Sequence, residues 1–162
     1  MELELPKDFK EFFASLGSKK VRYLLIGGYA VIVYGYSRNT SDIDLVVSND
    51  AENAKRCVEA LAQFGFAGEA LSEDLFLGPP KKVVQLGFPP VKIEILNYLE
   101  GVAFDEAYER RTTVRIEDID IDVISLEDLI QNKTKVGRLQ DLLDIEKLTE
   151  RNEEKLRDKS IE

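Results

Sequence analysis

The chain has 162 residues, of which 44% are hydrophobic and 33% charged, and its formal net charge is −9. That length and balance suit one soluble globular domain with a real core, and the acidic excess argues against a broad non-specific nucleic-acid face. With no histidine and Cys57 as the only cysteine, intrachain disulfides, Cys/His zinc sites and His-based triads are excluded. Any metal would be held by oxygen, which selects Mg²⁺ or Mn²⁺.

In chain order, Pro6 opens a short amphipathic helix with Phe9, Phe12, Phe13 and Leu16 on one face. Residues 20–26 (KVRYLLI) read as a strand ended by Gly27-Gly28. The following AVIVYGY admits either strand or helix; helix is the better reading, because residues 40–47 supply the next strand. Asn49-Asp50 caps a helix running to about Phe64, with Ala54, Cys57, Val58 and Leu61 as its buried stripe. GPP (78–80) and FPP (88–90) bracket a short strand, KKVVQLG, and VKIEIL (91–96) is the clearest alternating strand.

A short helix is predicted over Phe104–Arg110, then strands at 113–116 and 119–124. Ser125 and Asp128 form an S-x-x-D capping box that opens another helix. The last helix runs from about Arg138 past Leu148, giving a domain over 1–149. Residues 150–162 form a charged tail, expected to be solvated or frayed. The most apolar stretch, 23–36, is too short to span a bilayer and carries three glycines, and the N-terminus lacks the pattern of an export signal. A cytoplasmic location without membrane partners is the expectation.

Chemistry concentrates in RNTSDIDLVV (38–47). In a strand, Ile43, Leu45 and Val47 share one face, while Asp42, Asp44 and Val46 share the other. Two carboxylates one rung apart repel unless a cation or a solvent-filled cleft meets them, although an edge strand with solvated acids would also satisfy the spacing. Gly27-Gly28 ends a strand and opens a helix, a turn that lets backbone approach a phosphate but equally reads as a plain tight turn. In VKIEIL, Glu94 faces away from Val91, Ile93 and Ile95. Were that strand to lie beside 42–47, Glu94 would join the two aspartates in a cluster suited to metal-assisted phosphoryl or nucleotidyl transfer. An exposed glutamate paired with a lysine is the competing reading. Asp120 and Asp122 repeat the D-x-D pattern without a preceding Gly-Gly turn and read as an exposed strand face.

Taken together, GGYAVIVYGYSRNTSDIDL, KIEIL, GVAFDEAYERR and SLEDLIQNKTKVGRLQDLLDI resemble the minimal nucleotidyltransferases of the DNA polymerase β-like superfamily. The ordered set is similar to small bacterial nucleotidyltransferase-like proteins related to the AbiEii toxin group, over roughly residues 20–148. The resemblance implies a single-domain α/β fold: a nucleotidyltransferase-like mixed β-sheet with flanking helices. It implies Asp42, Asp44 and Glu94 as catalytic metal ligands, although related sequences often carry Asp as the third acid. Gly27 and Gly28 would lie at the NTP triphosphate, with Arg38 and Thr40 lining the same pocket. Lys133 and Arg138 would face the phosphates, with Asp141 and Asp144 orienting them. From spacing alone, Arg138, Asp141 and Asp144 also fit a surface salt-bridge stripe.

The implied reaction moves an NMP from an NTP to a hydroxyl on a tRNA 3′ end, a protein or a small molecule. The protein would then stand as enzyme or as toxin beside a cognate antitoxin. A catalytically inactive module of the same fold that binds a partner protein is the alternative. A phosphohydrolase on the same acids fits less well, since such enzymes usually recruit histidines.

Overall fold

A computed structural model describes residues 6–40, 42–66, 68, 70–88 and 91–161. The expected turn at Pro89-Pro90 and the extreme N-terminus lie outside the described residues. Helix α1 (Lys7–Ser18) starts after Pro6 and buries Phe9, Phe12, Phe13 and Leu16. Removing each of these side chains from water is worth about 1.5–3 kcal/mol. α1 packs on α3 (Ala51–Phe64), bringing the Phe12 and Phe64 rings edge to face at 5.6 Å. The Asp50 side chain caps α3 by accepting from the Asn53 N–H, and Ala54, Cys57 and Leu61 are buried as the stripe predicts.

Strand β1 (Tyr23–Ile26) is buried throughout and begins three residues later than expected. The ambiguous segment is helical only over Ala30–Val33, in α2 (Gly27–Val33), and leaves the helix at Tyr34; the Gly-Gly pair is the first turn of a helix that leaves the strand directly. β2 (Asp42–Val47) returns antiparallel to β1, with Ile26 opposite Asp44. Next come β3 (Val83–Phe88) and β4 (Val91–Leu96), then α4 (Phe104–Glu109), β5 (Thr112–Ile116) and β6 (Ile119–Val123). The six strands form one mixed sheet in the order β3-β4-β2-β1-β6-β5, with β2–β4 and β1–β6 parallel.

The chain closes with α5 (Leu126–Val136), α6 (Leu139–Arg151) and α7 (Glu153–Ile161). Two expectations change here. Ser125 Oγ does accept from the Asp128 N–H at 3.2 Å, but the Asp128 carboxylate takes Arg110 in a two-pronged ion pair at 3.0 Å. Half of the capping box is therefore replaced by a tertiary contact, because a nearby guanidinium outcompetes a single backbone N–H. The charged run expected as a frayed tail is helix α7, whose Leu156 packs against the core while Glu153, Glu154, Lys155 and Arg157 stay exposed. No helix among the described residues is long and apolar enough to cross a membrane.

Candidate active site

The strand order settles the condition on which the carboxylate cluster depended. β4 lies beside β2, in parallel register, with Asp44 opposite Glu94 and Asp42 opposite Lys92. Ile43, Leu45, Ile93 and Ile95 all point into the core and are buried, so Asp42, Asp44 and Glu94 share the opposite, half-exposed face. Asp44 and Glu94 meet side chain to side chain. Burial first, then the negative charges of Glu94 and Asp42, push the Asp44 carboxyl up to about 7 against the pull of Arg138. Across the β3–β4 pair, Gln85 sits opposite Glu94 and its Nε2 donates to Glu94 Oε1 at 3.0 Å.

Among the described residues, no group of three or more Asp, Glu, His or Cys side chains is gathered tightly enough to hold a metal ion by itself. The donors that do converge are all oxygens and carry a shared excess of negative charge. They fit Mg²⁺ or Mn²⁺, which are commonly bound by one or two carboxylates with substrate phosphates completing the shell.

The glycines press against these acids. Gly27 has φ +69°, a backbone that favours glycine, and a Cβ there would collide with Asp44 Oδ2. A Cβ on Gly28 would stand 2.6 Å from Thr40 Oγ1 and 3.3 Å from Arg38 Nη2. The Gly-Gly turn is thus packed directly on both the aspartate and the Arg38–Thr40 segment, with no side chain in between.

The positive wall comes from Lys133 on α5, Arg138 at the N-cap of α6 and Arg38 between α2 and β2. Lys133 is 4% exposed, and its Nζ donates to Asp141 Oδ1 at 3.0 Å and pairs with Asp144 Oδ2 at 2.9 Å. Arg38 grips Asp144 with two prongs, Nε to Oδ1 at 2.9 Å and Nη2 to Oδ2 at 3.0 Å. Gln140 Nε2 adds a 2.9 Å bond to Asp144 Oδ1. Arg138 Nε donates to Asp141 Oδ2 at 2.7 Å while most of its side chain stays exposed at the mouth.

Burial alone would push the Asp141 and Asp144 carboxyls up. The hydrogen bonds from Arg138 and Lys133 to Asp141, and from Arg38, Lys133 and Gln140 to Asp144, hold both below the usual carboxylate range. Asp141 is 1% exposed and Asp144 0%, so the surface salt-bridge stripe that spacing allowed is not what forms. These acids are interior anchors for the site's cations.

Of the eleven residues singled out from the sequence, all but the fully buried Asp144 line two adjoining cavities that share Gly27, Asp44, Lys133, Arg138 and Asp141. The smaller, about 260 Å³, adds Gly28, Arg38, Thr40 and Asp42, together with Asn39 and Gln140. The larger, about 540 Å³, adds Glu94 and an apolar wall. Sequence reasoning missed Gln85 and Gln140. Gln85 was recoverable by counting the β3–β4 hairpin outward from 89–90, which sets 85 against 94. Gln140 carried no comparable signal. The second D-x-D behaves differently: Asp120 pairs with Arg115 at the surface, and Asp122 is held by Thr113 and Arg111 on β6, away from the cleft.

A mixed sheet that carries a strand-borne acid pair beside a Gly-Gly helix start, with helices flanking it, defines a nucleotidyltransferase-like fold. The chain belongs to the family described as "Nucleotidyl transferase of unknown function (DUF2204)", whose profile matches residues 6–162.

Solved structures agree on the fold. A candidate nucleotidyltransferase from Thermotoga maritima (TM1012) is 20% identical with a TM-score of 0.58, over 86% of this chain and 88% of that one. An antigenic nucleotidyltransferase-like protein from Paracoccidioides brasiliensis is 19% identical with a TM-score of 0.52, over 87% and 74%. The lincosamide antibiotic adenylyltransferase LnuA, solved with lincomycin bound, is 18% identical with a TM-score of 0.55, over 90% and 96%. No curated protein matches the chain significantly.

Proposed function

We propose that the cleft transfers an NMP from an NTP to a hydroxyl acceptor, with Asp42, Asp44 and Glu94 holding a divalent cation, Mg²⁺ or Mn²⁺. The observation that carries this reading is the Asp44–Glu94 rung, set against Gly27 and walled by Arg38, Lys133 and Arg138. Bound there, the cation would offset charge on the phosphates and lower the pKa of a coordinated hydroxyl.

The protein's own part is positioning. Gly27 and Gly28 present backbone at the start of α2, where the first-turn N–H groups have no partner within the helix. They do so without a Cβ to keep phosphate away. Arg38 is fixed by Asp144 and Lys133 by Asp141 and Asp144, so the cations face the smaller cavity without reorganising when phosphate arrives. In the transfer itself the acceptor oxygen bonds to the α-phosphorus as the bond to pyrophosphate breaks. The hydroxyl proton leaves to solvent.

NTP radiolabelled on the α-phosphate tests the reading. Divalent-dependent transfer of label, reduced at least about 100-fold in Asp42→Asn and in Asp44→Asn, is the expected result. Equal transfer by wild type and both variants would sink it. Lincomycin in the LnuA structure makes a small hydroxylated compound a reasonable first acceptor to try.

A further inference from the structure

We infer that the larger cavity is the acceptor subsite and that its shape and lining select a small, neutral, amphipathic hydroxyl compound rather than a nucleic-acid end or a protein. The inference rests on the proposed transfer reaction and extends it to the substrate class.

The direction follows from in-line geometry. Attack on a phosphorus comes from the side opposite the leaving group. Gly28, Arg38, Thr40 and the anchored cations put the leaving pyrophosphate in the smaller cavity. The acceptor hydroxyl then enters past Asp44 from the Glu94 side, which is the larger cavity.

The class follows from what lines that side. Val83 and Val136 are 47% and 39% exposed, large apolar side chains left facing a cavity, and Leu96 and Leu99 continue the same wall. A volume of about 540 Å³ is in the usual range of small-molecule pockets. A polynucleotide end needs cations for its backbone and open aromatic faces for its bases. Here the lining sets three cations, Lys133, Lys135 and Arg138, against four acids, Asp44, Glu94, Glu100 and Asp141, so it offers no excess of positive charge to a phosphate backbone, and the Tyr98 ring has Lys81 Nζ 5.1 Å from its centroid. Lys81 in turn bonds Glu100 at 2.5 Å, so that rim offers little net charge. An apolar wall opposite an acid-flanked phosphorus suits an alcohol with one greasy face.

The test is a crystal of the full chain grown with Mn²⁺ and the α,β-methylene analogue of ATP, soaked with a panel of neutral sugar alcohols and alicyclic diols. The expected result places the phosphates beside Gly28 and Arg38, with an alcohol against Leu96 and Leu99, its hydroxyl toward the α-phosphorus. Adenine or ribose filling that space, or a cavity left bare across the panel, overturns the assignment.

Calorimetry on the nucleotide-loaded protein separates the classes. Leu99→Glu should weaken binding of the best alcohol about tenfold or more while changing the affinity for the ATP analogue by less than about twofold. Equal loss of both overturns the inference, as does a tRNA transcript or an unfolded protein that binds more tightly than every alcohol. Failure of the ATP analogue to bind anywhere sinks the transfer reading itself, and this inference with it.

Discussion

At the residue scale the cleft turns on Asp44. Its carboxyl is raised from an ordinary 3.8 to about 7, by burial and by the neighbouring charges of Glu94 and Asp42. A raised carboxyl binds its proton more tightly in the folded chain than in the unfolded one. The stability this proton supplies is full below the unfolded pKa and is lost as pH rises toward about 7. Asp44→Asn removes that dependence. In metal-free buffer its melting temperature should exceed the wild type's by at least about 2 °C at pH 8. The gap should shrink as pH falls through the window between 3.8 and about 7. Thermal melts across that window check this, and a gap independent of pH would count against a strained, proton-sharing pair. A variant that gains stability while losing transfer is the expected signature of a site that stores repulsion for a cation.

The same strain explains what could be read from the residues in advance. Asp42 and Asp44 broke the pattern of an apolar strand, and that local inconsistency is visible in any single sequence. The demand for Gly27 came from its contact with Asp44 and could only be suspected from the Gly-Gly pair.

Helix α6 reverses the usual logic of an amphipathic element. Its inner face carries Asp141 and Asp144, both buried, while Leu139, Leu142 and Leu143 stand exposed at 87%, 52% and 41%. A hydrophobic stripe is the main signal that sequence offers for a helix's buried side, so here it pointed outward. The resemblance, not the helix's own pattern, placed these acids beside Lys133 and Arg138, and it gave no sign of the Arg38–Asp144 pair, whose partners lie 106 residues apart.

Spacing did locate the elements. The Asp50 cap, the Ser125 cap and the strand at 91–96 all stand where the residues placed them. At this scale Asp144→Ala is the sharpest probe, because it takes one of the two buried carboxylates from Lys133, leaving only Asp141, and releases Arg38. Such a broken buried pair costs about 3–5 kcal/mol, and urea denaturation should show a loss of that order. A loss below about 0.5 kcal/mol would mean the network is decorative.

For the whole molecule, the decisive fact is that β4 inserts beside β2 in parallel, which brings residue 94 to residue 44 across half a domain. Alternation fixed which face each acid occupies. It could not fix the neighbour, because a parallel pairing is set by crossover connections and core packing rather than by any local turn. The apolar wall of the larger cavity was equally hidden. Val83 and Val136 come from β3 and α5, and nothing in either segment marks them as neighbours.

The family match and the shared fold make the chain a nucleotidyltransferase by descent. The central claim goes further, to a cation gripped by acids from two strands and completed by triphosphate. Calorimetric titration of Mn²⁺ in the presence of the α,β-methylene ATP analogue tests it most directly. The account predicts binding that weakens at least about tenfold in both Asp44→Asn and Glu94→Gln, and is unchanged in Asp120→Asn. Wild-type Mn²⁺ affinity in Glu94→Gln would contradict it.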